Sequence, residues 1–378
     1  MDHFLDDDND STSYYYDYDP FWNMSNVSIS GDFDSDWCEA DEQQERTIKM
    51  FQTCVFCLIF PLGVAGNLLV IATFTLYRRL HLRSMTDVFL FHLALADLLL
   101  LLTVPLLAVD THLGWIFSSL LCKITRACYA VNTYSGLLLL ACISVDRYMV
   151  VARPQQILQL RSKVLTAGKV AAVGVWLVAV LLSLPEILFS GVSGSGSEAY
   201  CGMNVSGRVK MVTDGAMIAV FCASFFVMVT CYSSVASVLC KGYARRRGRQ
   251  WPRQRTLKLM LTLVVVFLLF QLPYTVVLSR KMAGGLFCGL MLDYITCTLA
   301  FTRCSLNPLL YAMVGVRFRQ DVLRLVRDVG GACGIHLKQR VLNSTSNSFP
   351  SNQPPTSPDR TGSNDTPASN NFHFMANK

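Results

Sequence analysis

Ala141-Cys142-Ile143-Ser144-Val145-Asp146-Arg147-Tyr148 closes an apolar run that begins near Leu120. A helix needs about 20 apolar residues to cross a bilayer, and this run is long enough. It ends in an acid, a base and an aromatic. An isolated carboxylate or guanidinium at such a place is costly, and setting the two side by side lowers that cost. Taken alone, the arginine reads as a flanking side chain snorkelling to lipid headgroups. Its company in the other apolar segments changes that reading.

The chain has 378 residues, of which 52% are hydrophobic and only 16% charged, too apolar for an ordinary soluble protein of this size. Membrane-length windows recur along it at Met50–Tyr77, Met85–Thr111, Ser118–Val151, Leu165–Ser190, Val212–Cys240, Thr256–Met282 and Phe287–Val314. The expected fold is an all-α membrane protein, a seven-transmembrane helix bundle with a short amphipathic eighth helix and disordered termini. Its domains divide as an acidic tail (1–47), the bundle (48–315), an amphipathic helix (316–328) and a Ser/Thr-rich tail (329–378). Both tails are too polar to bury a core.

Charge is segregated. Residues 1–47 carry 14 acidic side chains against Arg46 alone, leaving 12 acidic and 32 basic residues for the remainder. The basic residues cluster at Arg78, Arg79 and Arg83, then Arg153, Arg161 and Lys163, then Lys241 through Arg245, Arg246, Arg247, Arg249, Arg253 and Arg255 to Lys258. The positive-inside rule makes these loops cytoplasmic, which puts the N-terminus outside, the C-terminus inside and an odd number of spans between. Topology and lipid contact account for most of this charge, and nucleic-acid binding has no support. With an acidic opening stretch and no cleavable signal, the first helix is expected to direct its own insertion.

That topology sorts the 14 cysteines. Cys38, Cys122, Cys201 and Cys288 face the oxidising side, an even number consistent with two disulfides in any of three pairings. The other ten lie in helices or face the reducing side, where a small hydrophobe is the usual role. Sequons at Asn23, Asn26 and Asn204 fall on outer segments and are expected to carry glycans; those at Asn343 and Asn364 fall inside.

Five polar residues, Asn67, Asp97, Asn132, Arg303 and Asn307, interrupt otherwise apolar spans. Residues of this kind face the bundle interior and bond to one another, either as packing glue or as a network that rearranges. Pro105, Pro185, Pro273 and Pro308 each free a carbonyl and can kink a span. Cys122 and Arg147 are 25 residues apart, so about 38 Å of helix puts them at opposite membrane faces. No nucleophile–base set or metal-ligand cluster is evident. The chain is read as neither an enzyme nor a cofactor or metal protein.

Six motifs in order carry a resemblance: Gly66-Asn67, Leu93-Ala94-Leu95-Ala96-Asp97, Asp146-Arg147-Tyr148, Trp176, Pro273 and Asn307-Pro308-Leu309-Leu310-Tyr311. Over residues 48–328 the chain resembles the rhodopsin-like G-protein-coupled receptors. Thr103-Val104-Pro105, Trp115-Ile116-Phe117, the octapeptide ending at Tyr148 and Gly315-Val316-Arg317-Phe318-Arg319 resemble the chemokine receptors, as does the extra outer cysteine pair. Gln271-Leu272-Pro273-Tyr274, Arg303-Cys304 and Arg317-Phe318-Arg319-Gln320-Asp321 lean toward the CC group, near its type 7 and type 10 members. The resemblance implies the pairings Cys122–Cys201 and Cys38–Cys288.

It also implies a two-step capture of a basic chemokine, the tail holding its core and the bundle its N-terminus. Tyr14, Tyr15, Tyr16 and Tyr18 lie among carboxylates, a setting for tyrosine sulfation, and such a tail would steer a basic ligand at a salt-dependent rate. Pocket candidates are Tyr129, Tyr274, Cys297 and Phe301. Tyr129 stands where amine receptors carry an aspartate, and Phe301 where opsins carry the retinal lysine, which excludes both ligand types.

On the inner side, Arg147 would pair with Asp146 at rest and be freed for a heterotrimeric G protein, of the inhibitory class, as helix six swings out. Tyr148, Tyr232, Asn307, Pro308 and Tyr311 belong to that machinery. The Ser/Thr-rich tail suits phosphorylation and arrestin. The implied location is the plasma membrane, with lipid around the bundle. Three departures stand out: Ser224 replaces a usual proline, Gln271 a usual tryptophan and Cys297 a frequent glutamate. Arg303 is expected to pair with Asp97 and displace a sodium ion there. The alternatives are a scavenging, arrestin-biased chemokine receptor, which the intact triplet disfavours, another seven-helix peptide receptor, and a transporter, which the missing repeat disfavours.

Overall fold

The computed structural model describes residues 42–77, 84–194, 196, 199–203, 207–243, 251–283, 289–314, 320 and 322–328. Helices make up most of them. The first, α1 (Glu42–Ala72), winds on into a wider π turn, Thr73–Tyr77. Ser84 caps α2 (Met85–Leu101), its hydroxyl accepting from the Asp87 amide at 3.2 Å. The helix breaks at Leu102–Thr103 and resumes as α3 (Val104–Leu113), because Pro105 has no amide hydrogen to continue the ladder. The Thr103 hydroxyl donates to the Leu100 carbonyl at 2.7 Å within that break.

Capped by Ser118, α4 (Ser119–Ala152) carries the opening octapeptide at its far end. Then come α5 (Pro154–Gln159), α6 (Arg161–Leu182) and α7 (Leu184–Phe189), the last break falling just before Pro185. A hairpin follows: β1 (Ser190–Ser193) runs antiparallel to β2 (Tyr200–Met203), with Ser190 opposite Met203 and Ser193 opposite Tyr200. Three long helices complete the bundle, α8 (Gly207–Tyr243), α9 (Trp251–Met282) and α10 (Leu290–Val314), and residues 322–328 are again helical. Ser224 in place of proline leaves α8 unbroken over its 37 residues.

Six helical stretches among the described residues are long and apolar enough to cross a membrane. The expected seventh, α10, has the length at 25 residues but carries Asp293, Arg303 and Asn307, all buried. Its polarity is turned inward, and average hydropathy understates it as a span.

The central helix is α4, packed against α2, α6, α7, α8 and the hairpin, while α10 packs between α1 and α9. Side chains at the Arg147 end, among them Phe74, Phe89, Leu93, Leu140, Ile143 and Phe267, form one buried cluster. Phe56, Leu101, Trp115, Cys297 and Phe301 form another beside Cys122 and Cys201. Outward faces remain apolar, with Leu58, Leu62, Leu177 and Phe226 exposed, as lipid contact requires. Lipid tails are as apolar as leucine, so helices associate here by close packing and internal hydrogen bonds. Gly66 illustrates the packing: a Cβ there would lie 2.8 Å from the Pro308 Cβ, so glycine lets α1 and α10 touch.

Candidate functional site

Three groups of side chains lie along the axis of the bundle. At one end Arg147 Nη2 meets Asp146 Oδ2 at 2.5 Å and also donates to the Thr86 hydroxyl, which itself donates to Asp146 Oδ2. Asp146 is buried while Arg147 keeps a slightly more open position. Thr86, in the first turn of α2, thus ties that helix to α4 through both charges. The sequence reading missed Thr86, since a threonine in an apolar helix carries no signal of its partner. Tyr232 borders this end with its hydroxyl buried and without a hydrogen-bond partner among the described residues. Tyr148 is half-buried beside Arg147 in the chain.

In the middle, Asp97 is fully buried and accepts from Asn132 Nδ2 at 3.0 Å and Asn307 Nδ2 at 2.6 Å. Arg303 Nη2 donates to Asn132 Oδ1 at 2.5 Å, and its Cζ stands 4.8 Å from the centroid of the Phe267 ring. The expected direct pairing of Arg303 with Asp97 is therefore corrected: Asn132 stands between them, donating to the acid and accepting from the base. An amide can do both at once because it presents a carbonyl and an NH2 on one plane. Gly136 makes the room, since a Cβ there would lie 2.7 Å from Arg303 Nη1.

Asn67 has a separate task. Pro308 cannot bond the carbonyl four residues back, which is that of Cys304. Asn67 Nδ2 supplies the missing donor at 2.9 Å, and donates to its own helix at the Gly63 carbonyl, also at 2.9 Å. The five polar interruptions thus split into a four-residue network around Asp97 and one helix-to-helix tie.

At the other end Cys122 and Cys201 form a disulfide that holds β2 to the start of α4. Tyr129, Tyr274, Cys297 and Phe301, from three helices, converge on the cluster next to it. Tyr129 stacks on Phe301 with centroids 5.5 Å apart and planes at 21°, and Phe56 meets Phe301 edge-on at 6.1 Å. Trp115 closes the rim, its backbone amide bonded to the Ala199 carbonyl at 2.7 Å.

Two ion pairs at this end were not anticipated. Arg126 Nε donates to Glu186 Oε2 at 2.7 Å, with the Ser190 hydroxyl on the same oxygen at 3.3 Å. Lys281 Nζ meets Asp293 Oδ2, joining α9 to α10. Each partner sits near a helix end, where a lone charge reads as a membrane-interface residue. The hairpin was likewise missed, being four residues per strand and rich in Ser and Gly. His92 Nδ1 accepts from Trp176 Nε1 at 3.1 Å.

Tyr14, Tyr15, Tyr16, Tyr18, the pair Cys38 and Cys288, and the sequons Asn23, Asn26 and Asn204 lie outside the described residues. Tyr311 is on α10, but its side chain is also outside them.

Residues 66–311 match the model of the 7 transmembrane receptor (rhodopsin family), and the chain belongs to that family. The chain is 35% identical over 303 residues to the human C-C chemokine receptor type 7, covering 76% of this chain and 78% of that one. It is 33% identical over 336 residues to the mouse C-C chemokine receptor type 6 (84% and 88% covered), and 32% over 313 to the mouse type 9 (79% and 82%). Within the family it therefore falls in the CC chemokine receptor branch, a multi-pass membrane receptor and not an enzyme.

Proposed function

We propose that this receptor binds a basic chemokine and passes the signal to a heterotrimeric G protein across the plasma membrane. In this reading the disulfide end faces outward, the Arg147 end inward, and the acidic tail lies outside. The ligand core is held by the tail with its Tyr14, Tyr15, Tyr16 and Tyr18, and its N-terminus enters between Tyr129, Tyr274, Cys297 and Phe301.

One observation carries the signalling half: Arg147 is held by Asp146 and Thr86 rather than pointing freely outward. A charge so restrained can be released, which is what a switch needs and a snorkelling arginine does not. Outward movement of α9 would free it, with Tyr232 and Tyr311 bracing the open state. The inhibitory G-protein class and arrestin, through the phosphorylated tail, complete the proposed partners.

The experiment is a panel of recombinant CC chemokines applied to cells expressing the full chain, read for G-protein activation and arrestin recruitment. The expected outcome is activation of both by at least one chemokine. Arrestin recruitment without G-protein activation, at normal surface level, would replace this reading with the scavenger. Changing the four tail tyrosines to phenylalanine should lower affinity; unchanged affinity removes the tail from the ligand site.

A further inference from the structure

The family resemblance implies a sodium ion at Asp97, and the oxygens present do not fit one. A hard cation is held by oxygen lone pairs turned toward it. Here Asp97 Oδ1 and Oδ2 each accept an amide N–H, from Asn132 at 3.0 Å and from Asn307 at 2.6 Å. The nearest neutral oxygen, Asn132 Oδ1, is taken by Arg303 Nη2 at 2.5 Å and approached by the Cys304 thiol at 3.7 Å. Bound hydrogens therefore stand where a cation needs lone pairs. Charge points the same way. One carboxylate, one guanidinium and two neutral amides sum to zero, and all four side chains are buried. A guanidinium does not lose its proton in a protein, so a sodium ion beside it would leave a net positive charge in the bundle interior, which is costly. Arg303 Nε and Nη1 are also buried, with no hydrogen-bond partner among the described residues, and their positive charge is left unscreened. The guanidinium has no route aside: Phe267 covers one face, with its ring centroid 4.8 Å from Cζ, and the Gly136 backbone lies beside Nη1.

We propose that Arg303 is a built-in cation, held to Asp97 through Asn132, and that it keeps this network closed to sodium. A diffusible ion occupies its seat in proportion to its concentration, whereas a tethered one is always there. The stability of the bundle is accordingly indifferent to sodium, and the seat opens to the ion only when the guanidinium is removed. Without it, Asn132 Oδ1 and the Asp97 carboxylate become free oxygens around an uncompensated negative charge.

The test uses the purified full-length receptor, melted without ligand in sodium, potassium or choline chloride at equal ionic strength, so that general screening is the same in all three. The wild type should melt at one temperature in all of them. Arg303→Ala and Arg303→Met should melt lower than the wild type in choline. Both should then gain about 3–6 °C at a sodium concentration roughly 10-fold above the dissociation constant, the shift expected when an ion binds only the folded state. Adding Asp97→Asn to either variant should abolish that gain. Arg303→Lys keeps a tethered cation and should stay indifferent to sodium.

A sodium-specific rise in the wild type overturns the proposal and needs no variant, so that arm decides even if neither Arg303→Ala nor Arg303→Met folds. No sodium-specific rise in either variant overturns it as well, because something other than the guanidinium would then be keeping the ion out. A rise that survives Asp97→Asn places the ion elsewhere and has the same consequence.

Discussion

Arg303 is boxed in on three sides, and the box makes a sharp prediction about Gly136. The guanidinium is 2% exposed, with Phe267 on one face, Asn132 Oδ1 on Nη2 and the Gly136 backbone beside Nη1. A methyl group at position 136 would start 2.7 Å from Nη1, about 0.7 Å inside ordinary contact. An arginine tip on a surface would simply swing away. Here the movement must stretch the charge-assisted bond to Asn132 or drive the stem into the core. Overpacking of this kind costs roughly 1–3 kcal/mol.

Gly136→Ala should therefore lower the melting temperature of the purified receptor by roughly 2–12 °C, taking about 2–4 °C per kcal/mol. Unfolding can be followed with a thiol-reactive dye on the buried Cys297 and Cys304. The mechanism is isolated by a double-mutant cycle with Arg303→Met. In that background the methyl group finds open space, so most of the loss from Gly136→Ala should vanish. Additive losses in the double variant would refute the reasoning, because they would mean that the methyl group clashes with something other than Arg303.

Further predictions follow from single partners. Asn67→Ala leaves the Cys304 carbonyl without a donor opposite Pro308 and should cost about 1–3 kcal/mol, read by the same melt. Arg126→Met strands the Glu186 carboxylate and should cost about 3–5 kcal/mol, while Arg126→Met with Glu186→Met should recover most of it; equal damage in the double variant would deny the pairing its role. Thr86→Val removes a hydroxyl bonded to both charges of the Arg147 cluster, a loss of about 1.5–3 kcal/mol from the restrained state. Agonist-independent nucleotide exchange on a G protein should then rise about 10-fold, and unchanged basal exchange would show that Thr86 does not hold Arg147.

The order of the spans is legible from residues alone because the bilayer imposes one length and one polarity on each, but not all their ends are: α1 begins at Glu42, within the stretch read as tail, rather than at Met50. That constraint is local, so the windows starting at Met85 and ending at Met282 agree with α2 and α9 at those ends. The five polar interruptions are legible for a similar reason, since a polar side chain in an apolar helix is visible without its partner. Pairing is not legible where it depends on direction. Arg303 and Asp97 were matched by charge, and only their placement on α10 and α2 put Asn132 between them.

What the sequence determined by itself was the class of architecture, the family motifs and the two chemically distinct ends, each a matter of composition and order along the chain. The tertiary structure decided who meets whom. Thr86 joins Asp146 and Arg147 across 60 and 61 residues, Asn67 reaches the carbonyl that Pro308 leaves empty, and Lys281 rests on Asp293. These contacts depend on the rotation and depth of one helix against another, which close packing sets to within a fraction of an ångström. Hydropathy, being an average along one chain, carries no trace of them.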